Sequence, residues 1–182
     1  MDPFASLSML IEQGFSEDCA FEDITTLACV EESRFAAGEF VLKQDAVLAG
    51  LPFLARIFHR RDPRTKTEVW ARDGQFYLQG TVLGRVEGPA HALLAAEHTA
   101  LNLLQHLSGI ATQTARCVAE AKGTICQIFD TRKTLPGYRA LQKYAVRMGG
   151  GLNHRQHLAD QILIKNNHLS LMPAGNVAAA IG

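Results

Sequence analysis

The chain has 182 residues, 47% of them apolar, with eighteen basic residues balanced by eighteen acidic ones. That size and apolar share suit one generous globular domain or two small ones, and exclude a disordered or fibrous chain. Because the charges cancel, no overall field is available to hold nucleic acid or an anionic membrane surface, and any charged ligand must be recognised locally.

The N-terminus, MDPFASLSMLIEQGF, lacks the basic start and apolar core of a secretory signal. Its residues Phe4, Leu7, Leu10 and Ile11 recur with helical spacing and predict a short helix ending near Gly14. Asp23 to Thr26 reads as a helix cap or turn. From Gly38 to Pro52, alternation and turn residues predict strands, after which LPFLARIFHR returns as a helix. TEVWARDGQFYLQGTVLGRVEG predicts more strands, with Asp73-Gly74 as a hairpin-type turn and Gly88-Pro89 closing the last of them. A helix from about 89 to 107 follows, with Pro89 in its first turn. One apolar stripe runs through Leu93, Ala96, Ala100, Leu103 and Leu107, and another through Leu94, Leu101 and Leu104, so the helix is expected to lie buried between layers. Glu97, Asn102 and Gln105 interrupt it too often for a membrane span. Past Ser108-Gly109 the pattern predicts a helix (Ala111 to Lys122), a strand (Ile125 to Phe129), a helix (Tyr138 to Met148), a Gly-rich segment and a strand (Gln161 to Ile164). That alternation indicates parallel βα units. An α/β fold in two parts is expected, residues 1–107 with the linking helix and residues 108–182 with the βα units, and the closing AGNVAAAIG reads as part of a helix. The four cysteines, Cys19, Cys29, Cys117 and Cys126, lie far apart without a CxxC pair, as free structural thiols of a reducing cytoplasm do.

Charge is not evenly spread. Between Thr131 and His168 stand Arg132, Lys133, Arg139, Lys143, Arg147, Arg155 and Lys165, against the single acid Asp160. Arg132, Lys133 and Lys165 fall directly after predicted strands, where parallel βα architectures bind ligands. His154-Arg155 follows Gly149-Gly150-Gly151, whose missing side chains would let backbone approach a ligand or turn sharply. Arginine grips a carboxylate or phosphate with two parallel hydrogen bonds and lysine adds a compact charge, so the expected ligand is a dicarboxylate or a phosphorylated sugar. Arg139, Lys143 and Arg147 belong instead to the predicted helix between motifs and read as a solvated face. His154, His157, Asp160 and His168 could be spaced for a metal, but no cysteine accompanies them and no metal site is expected. His106 reads as structural. Nucleic-acid binding is disfavoured, because the cations fall in separate loops without stacking aromatics.

The motifs EDITT (22–26), VLAGLP, GTVLGRVEGPAHALLAAEHTALNLLQHLSGIAT, DTRKTLPGYRALQKYAVRMGGGLNHR and ILIKNNH together resemble the quinolinate phosphoribosyltransferase family, the carboxylating nicotinate-nucleotide pyrophosphorylases. The resemblance implies an N-terminal α/β sandwich domain followed by the first part of an incomplete α/β (TIM-like) barrel. It further implies a homodimer whose active sites lie between subunits. The activity it implies joins quinolinate to phosphoribosyl pyrophosphate with Mg2+, releasing pyrophosphate and CO2 and giving nicotinate mononucleotide for NAD synthesis. Carried over by position, Arg132, His154, Arg155 and Lys165 match the basic pocket for the quinolinate carboxylates and the phosphoribosyl group, with Thr131 and Lys133 beside them and Lys133 and Lys165 as the catalytic cations. His98 matches the position of an arginine that reaches across the dimer to a substrate carboxylate.

Three features depart from that pattern. His98 replaces the arginine and is only partly charged near neutral pH. Gln156-His157-Leu158 stands where Leu-Gly-Leu is usual, and Asn166 where Asp is usual. The residues beyond Ser108 are far fewer than the roughly 200 or more a complete barrel takes. The acidic Mg2+ ligands and phosphate loops are accordingly expected in a barrel half that this sequence does not reach. A fragment, a split gene product or a shortened noncatalytic paralogue that pairs with a complete subunit is the expected alternative, with little activity in the isolated chain.

Overall fold

A computed structural model of the protein describes residues 2–172; the expected helix at the end of the sequence lies outside them. Helix α1, Pro3–Glu17, begins where the Asp2 carboxylate accepts the Phe4 N–H at 2.9 Å, with Pro3 in the first turn, and buries Leu7, Leu10, Ile11 and Phe15. It runs past Gly14, the residue expected to end it. A Cβ at Gly14 would lie 2.9 Å from Cγ2 of Thr99, so this glycine lets two helices touch and does not stop one. Helix α2, Ile24–Cys29, starts at the expected cap: Asp23 accepts the N–H groups of Thr25 and Thr26, both at 3.1 Å.

Strands β1 (Phe35–Val41), β2 (Ala46–Val47), β3 (Lys66–Val69), β4 (Phe76–Tyr77) and β5 (Val82–Pro89) surround helix α3, Leu51–Arg61. They form two antiparallel sheets, β1-β5-β3 with β5 central, and β2-β4. Leu83 and Val86 of β5 and Phe40 of β1 enter the core with Leu51, Phe53, Leu54, Ile57 and Phe58 of α3, which makes a helix-on-sheet layer. The expected hairpin at Asp73-Gly74 is absent, because β3 and β4 belong to different sheets. Asp73 instead caps the start of α3, its carboxylate accepting the N–H groups of Gly50 at 2.6 Å and Leu51 at 3.1 Å.

Helix α4, Ala90–Glu120, is one continuous element where two were expected. At about 1.5 Å per residue its 31 residues span about 46 Å. Ser108 does not break it. Its hydroxyl accepts the Ala49 N–H at 3.2 Å and that of Thr112 accepts the Val47 N–H at 3.0 Å, so two polar side chains pin the helix to β2 and the residues just after it. The cost of an exposed glycine within a helix, about 1 kcal/mol at Gly109, is outweighed by burial of Leu103, Leu104, Leu107 and Ala111 around it.

Helices α5 (Arg139–Met148) and α6 (Asn166–Leu171) complete the described elements. The strand predicted over 125–129 contributes only a lone parallel bridge, Phe129 with Leu152, closed by Leu152 N–H to Ile128 O at 2.8 Å and Asp130 N–H to Leu152 O at 3.0 Å. The strand predicted over 161–164 has no ladder among the described residues. β-branched residues favour a strand only where a neighbouring backbone completes it; here Ile125, Phe129, Ile162 and Leu163 remain exposed. The one pairing that forms is parallel, the sense that βα units require.

Candidate functional site

Asp130 organises the basic stretch. It follows directly on the bridge residue Phe129, and its carboxylate accepts the Lys143 ammonium at 2.5 Å, the Asn153 side-chain amide at 2.7 Å and the His154 backbone N–H at 2.8 Å. Lys143 also donates to the His154 carbonyl at 2.8 Å, and the Asn153 amide to the Lys143 carbonyl at 2.8 Å. Lys143 is 1% exposed, which corrects the expectation that it lies on a solvated face. It shares the inward face of α5 with Ala140, Leu141 and Ala145, and an ammonium so placed is tolerable only with a carboxylate and further acceptors around it.

The glycines that follow α5 act through packing. A Cβ at Gly149 would lie 2.3 Å from the Ala111 carbonyl oxygen, and one at Gly151 would lie 2.8 Å from side-chain carbons of Thr114 and Val146. They bring the chain close against α4, which in turn sets where Asn153, His154 and Arg155 emerge.

The residues singled out from sequence are distributed as follows. The Thr131 hydroxyl accepts the Lys133 N–H at 3.0 Å, a tight turn that carries Arg132 and Lys133 immediately beyond Asp130. Arg132 is half-buried, with its Nε lacking a hydrogen-bond partner, and Lys133 is exposed. Nδ1 of His154 accepts the Arg155 N–H at 2.8 Å. Arg155, 8% exposed, donates from Nη1 to the Gln161 carbonyl at 2.8 Å, drawing 155 and 161 together. Lys165 is exposed at the start of α6, and its N–H donates to Nδ1 of His168 at 2.9 Å. Asp130, Lys143, Asn153, His154 and Arg155 are thus linked by one set of hydrogen bonds; the Thr131–Lys133 turn joins it only through the chain at Asp130, and no hydrogen bond joins Lys165 to either. His98 lies elsewhere, exposed on α4 beside Glu97 and facing α2 across a cavity lined also by Asp23, Thr25 and Leu94.

Arg139, also expected on a solvated face, is half-buried and links two loops, with Nε to the Thr134 hydroxyl at 3.0 Å and Nη1 to the Gln156 carbonyl at 3.1 Å. Arg147 is exposed as expected. His157 and Asp160 pair at 2.7 Å. Sequence reasoning missed Asp130, Lys143 and Asn153; the available signal was an aspartate standing immediately before the Thr-Arg-Lys run. Among the described residues no carboxylate pairs with Arg132, Lys133, Arg155 or Lys165, and no group of three His, Cys, Asp or Glu side chains could hold a metal ion. With Asp130 neutralised by Lys143, the remaining cations present uncompensated positive charge, suited to an anion with several oxygens. A separate groove of about 770 Å³ between β1, β2 and α4 carries Lys43 and Arg116 but none of these residues.

Comparison with known proteins identifies the family. The profile of the quinolinate phosphoribosyl transferase N-terminal domain matches residues 23–108 and that of its C-terminal domain residues 110–181. The chloroplastic carboxylating nicotinate-nucleotide pyrophosphorylase of Arabidopsis thaliana is 38% identical over 180 residues, covering 98% of this chain and 51% of the relative. The Mycobacterium leprae enzyme of the same name is 44% identical over 176 residues, covering 94% of this chain and 61% of its own. The crystal structure of NadC from Streptococcus pyogenes superposes with a TM-score of 0.90 at 38% identity, over all of this chain and 63% of that one. The chain therefore spans about half to three fifths of the length of the relatives it matches.

Proposed function

We infer function from family: this chain belongs to the quinolinate phosphoribosyl transferase family, with the α/β fold of that family, a sandwich domain followed by part of an α/β barrel. The activity proposed for the protein is transfer of the phosphoribosyl group from phosphoribosyl pyrophosphate to quinolinate, with loss of CO2, in NAD biosynthesis. The observation that carries this reading is the network on Asp130, which draws the loop of Arg132 and Lys133 together with His154 and Arg155 in a chain of this family.

In this reaction the pyridine nitrogen bonds to C1 of the ribosyl group as the bond from C1 to pyrophosphate breaks, and pyrophosphate leaves with that electron pair. The carboxylate next to the nitrogen then departs as CO2, its bonding electrons stay on the ring carbon, and a proton takes its place. Positive charge serves both halves: it holds the reactants in line and stabilises oxygens and a ring carbon that gain negative charge. A preorganised donor to such charge contributes about 3 to 4 kcal/mol in a site that excludes water. Arg132, Arg155 and Lys165 are assigned to substrate carboxylate and phosphate oxygens, with Thr131 and His154 as further hydrogen-bond donors and Lys133 beside them, so that Lys133 and Lys165 bear on the leaving group.

Mg2+ belongs to the proposal through the family. Among the described residues no donor set fits it, and Asp130, the carboxylate in this cluster, is committed to Lys143, Asn153 and His154. Residues 1–107 are assigned as the sandwich domain with its linking helix and 108–182 as the barrel part. A homodimer with active sites between subunits would let the exposed His98 serve a partner's pocket. No helix among the described residues is long and apolar enough to cross a membrane, and a cytoplasmic location accords with the free cysteines.

Calorimetric titration of the chain with quinolinate and, separately, with nicotinate tests the reading. Quinolinate is expected to bind and nicotinate to bind much more weakly, since it lacks the second carboxylate. Replacing Arg155 by Ala is expected to weaken quinolinate binding by about 2 to 5 kcal/mol. Equal affinities for the two acids would contradict the proposal.

A further inference from the structure

The ring of His154 is oriented by contacts that also fix its proton. Its Nδ1 accepts the Arg155 N–H at 2.8 Å, and a neutral imidazole that accepts at one nitrogen must carry its hydrogen on the other. An imidazolium here would turn an N–H toward the N–H of Arg155, two donors face to face. The backbone of the same residue is held on both sides by one ion pair: Asp130 accepts its N–H at 2.8 Å, and Lys143 donates to its carbonyl at 2.8 Å. Asn153, the residue before it, is tied by its side-chain amide to Asp130 at 2.7 Å and to the Lys143 carbonyl at 2.8 Å. The pair touches no exposed cation of the cluster, and Lys143 is 1% exposed, so it cannot meet a substrate itself. Its contacts on the site side end on the Asn153 side-chain amide and the His154 backbone.

We propose that the buried Lys143–Asp130 pair is a positioning device, clamping the His154 backbone at its N–H and its C=O so that the imidazole is presented as a neutral ring whose Nε2–H donates one hydrogen bond to an oxygen of the ligand. His154 then adds direction and not charge, while the cationic part of recognition falls to the arginines and lysines. The arrangement has a counterpart at Lys165, whose N–H donates to Nδ1 of His168 at 2.9 Å. The ligand half of the inference rests on the proposed role of the pocket in binding quinolinate; the clamp and the ring's proton do not.

Nitrogen-15 NMR of the histidine side chains of the full 182-residue chain, with His154 assigned by the loss of its signals in His154→Gln, tests the proposal. At neutral pH, Nδ1 of His154 is expected in the range of an unprotonated, hydrogen-bonded nitrogen and Nε2 in that of a protonated one. A signature of an Nδ1–H ring or of an imidazolium overturns it, whatever any variant does. Removing Lys143 alone strands a buried carboxylate, so the paired replacement Lys143→Met with Asp130→Asn, which leaves no buried charge, is the informative variant. It is expected to stay folded, to lose the single fixed tautomer of His154, and to bind quinolinate about tenfold to a hundredfold more weakly. Retention of both the wild-type signature and the wild-type affinity overturns the clamp. Failure of the wild-type chain to bind quinolinate counts against the functional reading, while the imidazole signature still decides the clamp.

Discussion

Lys143 and Lys165 carry the same group in the same basic stretch, yet their surroundings give opposite consequences on removal. Lys165 is exposed, so its loss leaves no unsatisfied partner in the interior. Lys143 is buried and answers both Asp130 and the His154 carbonyl, so replacing it by Met leaves an uncompensated carboxylate inside the protein. Lys143→Met is expected to lower stability by about 3 to 5 kcal/mol, read from the urea midpoint; a change no larger than that of an exposed lysine would contradict the burial of the pair. Nothing in the local sequence separates these two lysines. The burial of Lys143 depends on Asp130 reaching it from outside the helix, a pairing that helical periodicity does not encode. Arg155 was singled out from sequence because its company, Gly149-Gly150-Gly151-Leu-Asn-His154, is specific to one family.

At the scale of elements, the contact of α5 with α4 depends on the absence of a side chain at Gly149. A Cβ there would lie 2.3 Å from a backbone oxygen of α4, at Ala111, and 2.6 Å from Cβ of Thr114, and neither atom can swing aside. Gly149→Ala is expected to destabilise by about 3 kcal/mol, measured by thermal or urea unfolding; wild-type stability would refute the close crossing. A second joint is Asp73, which caps α3 and also accepts the Tyr144 hydroxyl from α5 at 2.6 Å. Burial, and then the hydrogen bond and negative charge of Asp73, push the Tyr144 phenol above its usual range. Since the folded state holds that proton more tightly than the unfolded chain does, the stabilisation is complete below the ordinary tyrosine pKa of about 10 and is lost as pH rises beyond it. Stability should therefore fall with alkaline pH, and the fall should be shallower in Tyr144→Phe; identical slopes would dismiss the coupling. The cap at Asp23 was readable from sequence, because a short polar side chain before a helix has one obvious partner. The run through Ser108-Gly109 was not, since the side chains of Ser108 and Thr112 reach β2 and its flank from a distant part of the chain.

Across the whole molecule, the long helix α4 serves both parts: Ser108 and Thr112 hold the sheet side, Ala111 and Thr114 receive the glycines after α5, and His98 stands exposed toward α2. The α/β class and helices α1, α3 and α5 were legible from periodicity, whereas α4 was expected in two pieces and α6 was not expected. The strands at 125–129 and 161–164 were legible only as propensity, because a strand is completed by a neighbour and the described residues give the first a single bridge. The site was legible as a set of cations but not as a structure, since the acid that organises it stands one residue before the basic run begins. What unites these scales is the proposal that cations from separate stretches serve a single quinolinate pocket. Backbone amide NMR of the labelled chain titrated with quinolinate reads that most directly: saturable shifts are expected, concentrated at residues 131–133, 153–155 and 165–168. Shifts confined to the groove of Lys43 and Arg116, or no saturable shifts at all, would contradict it.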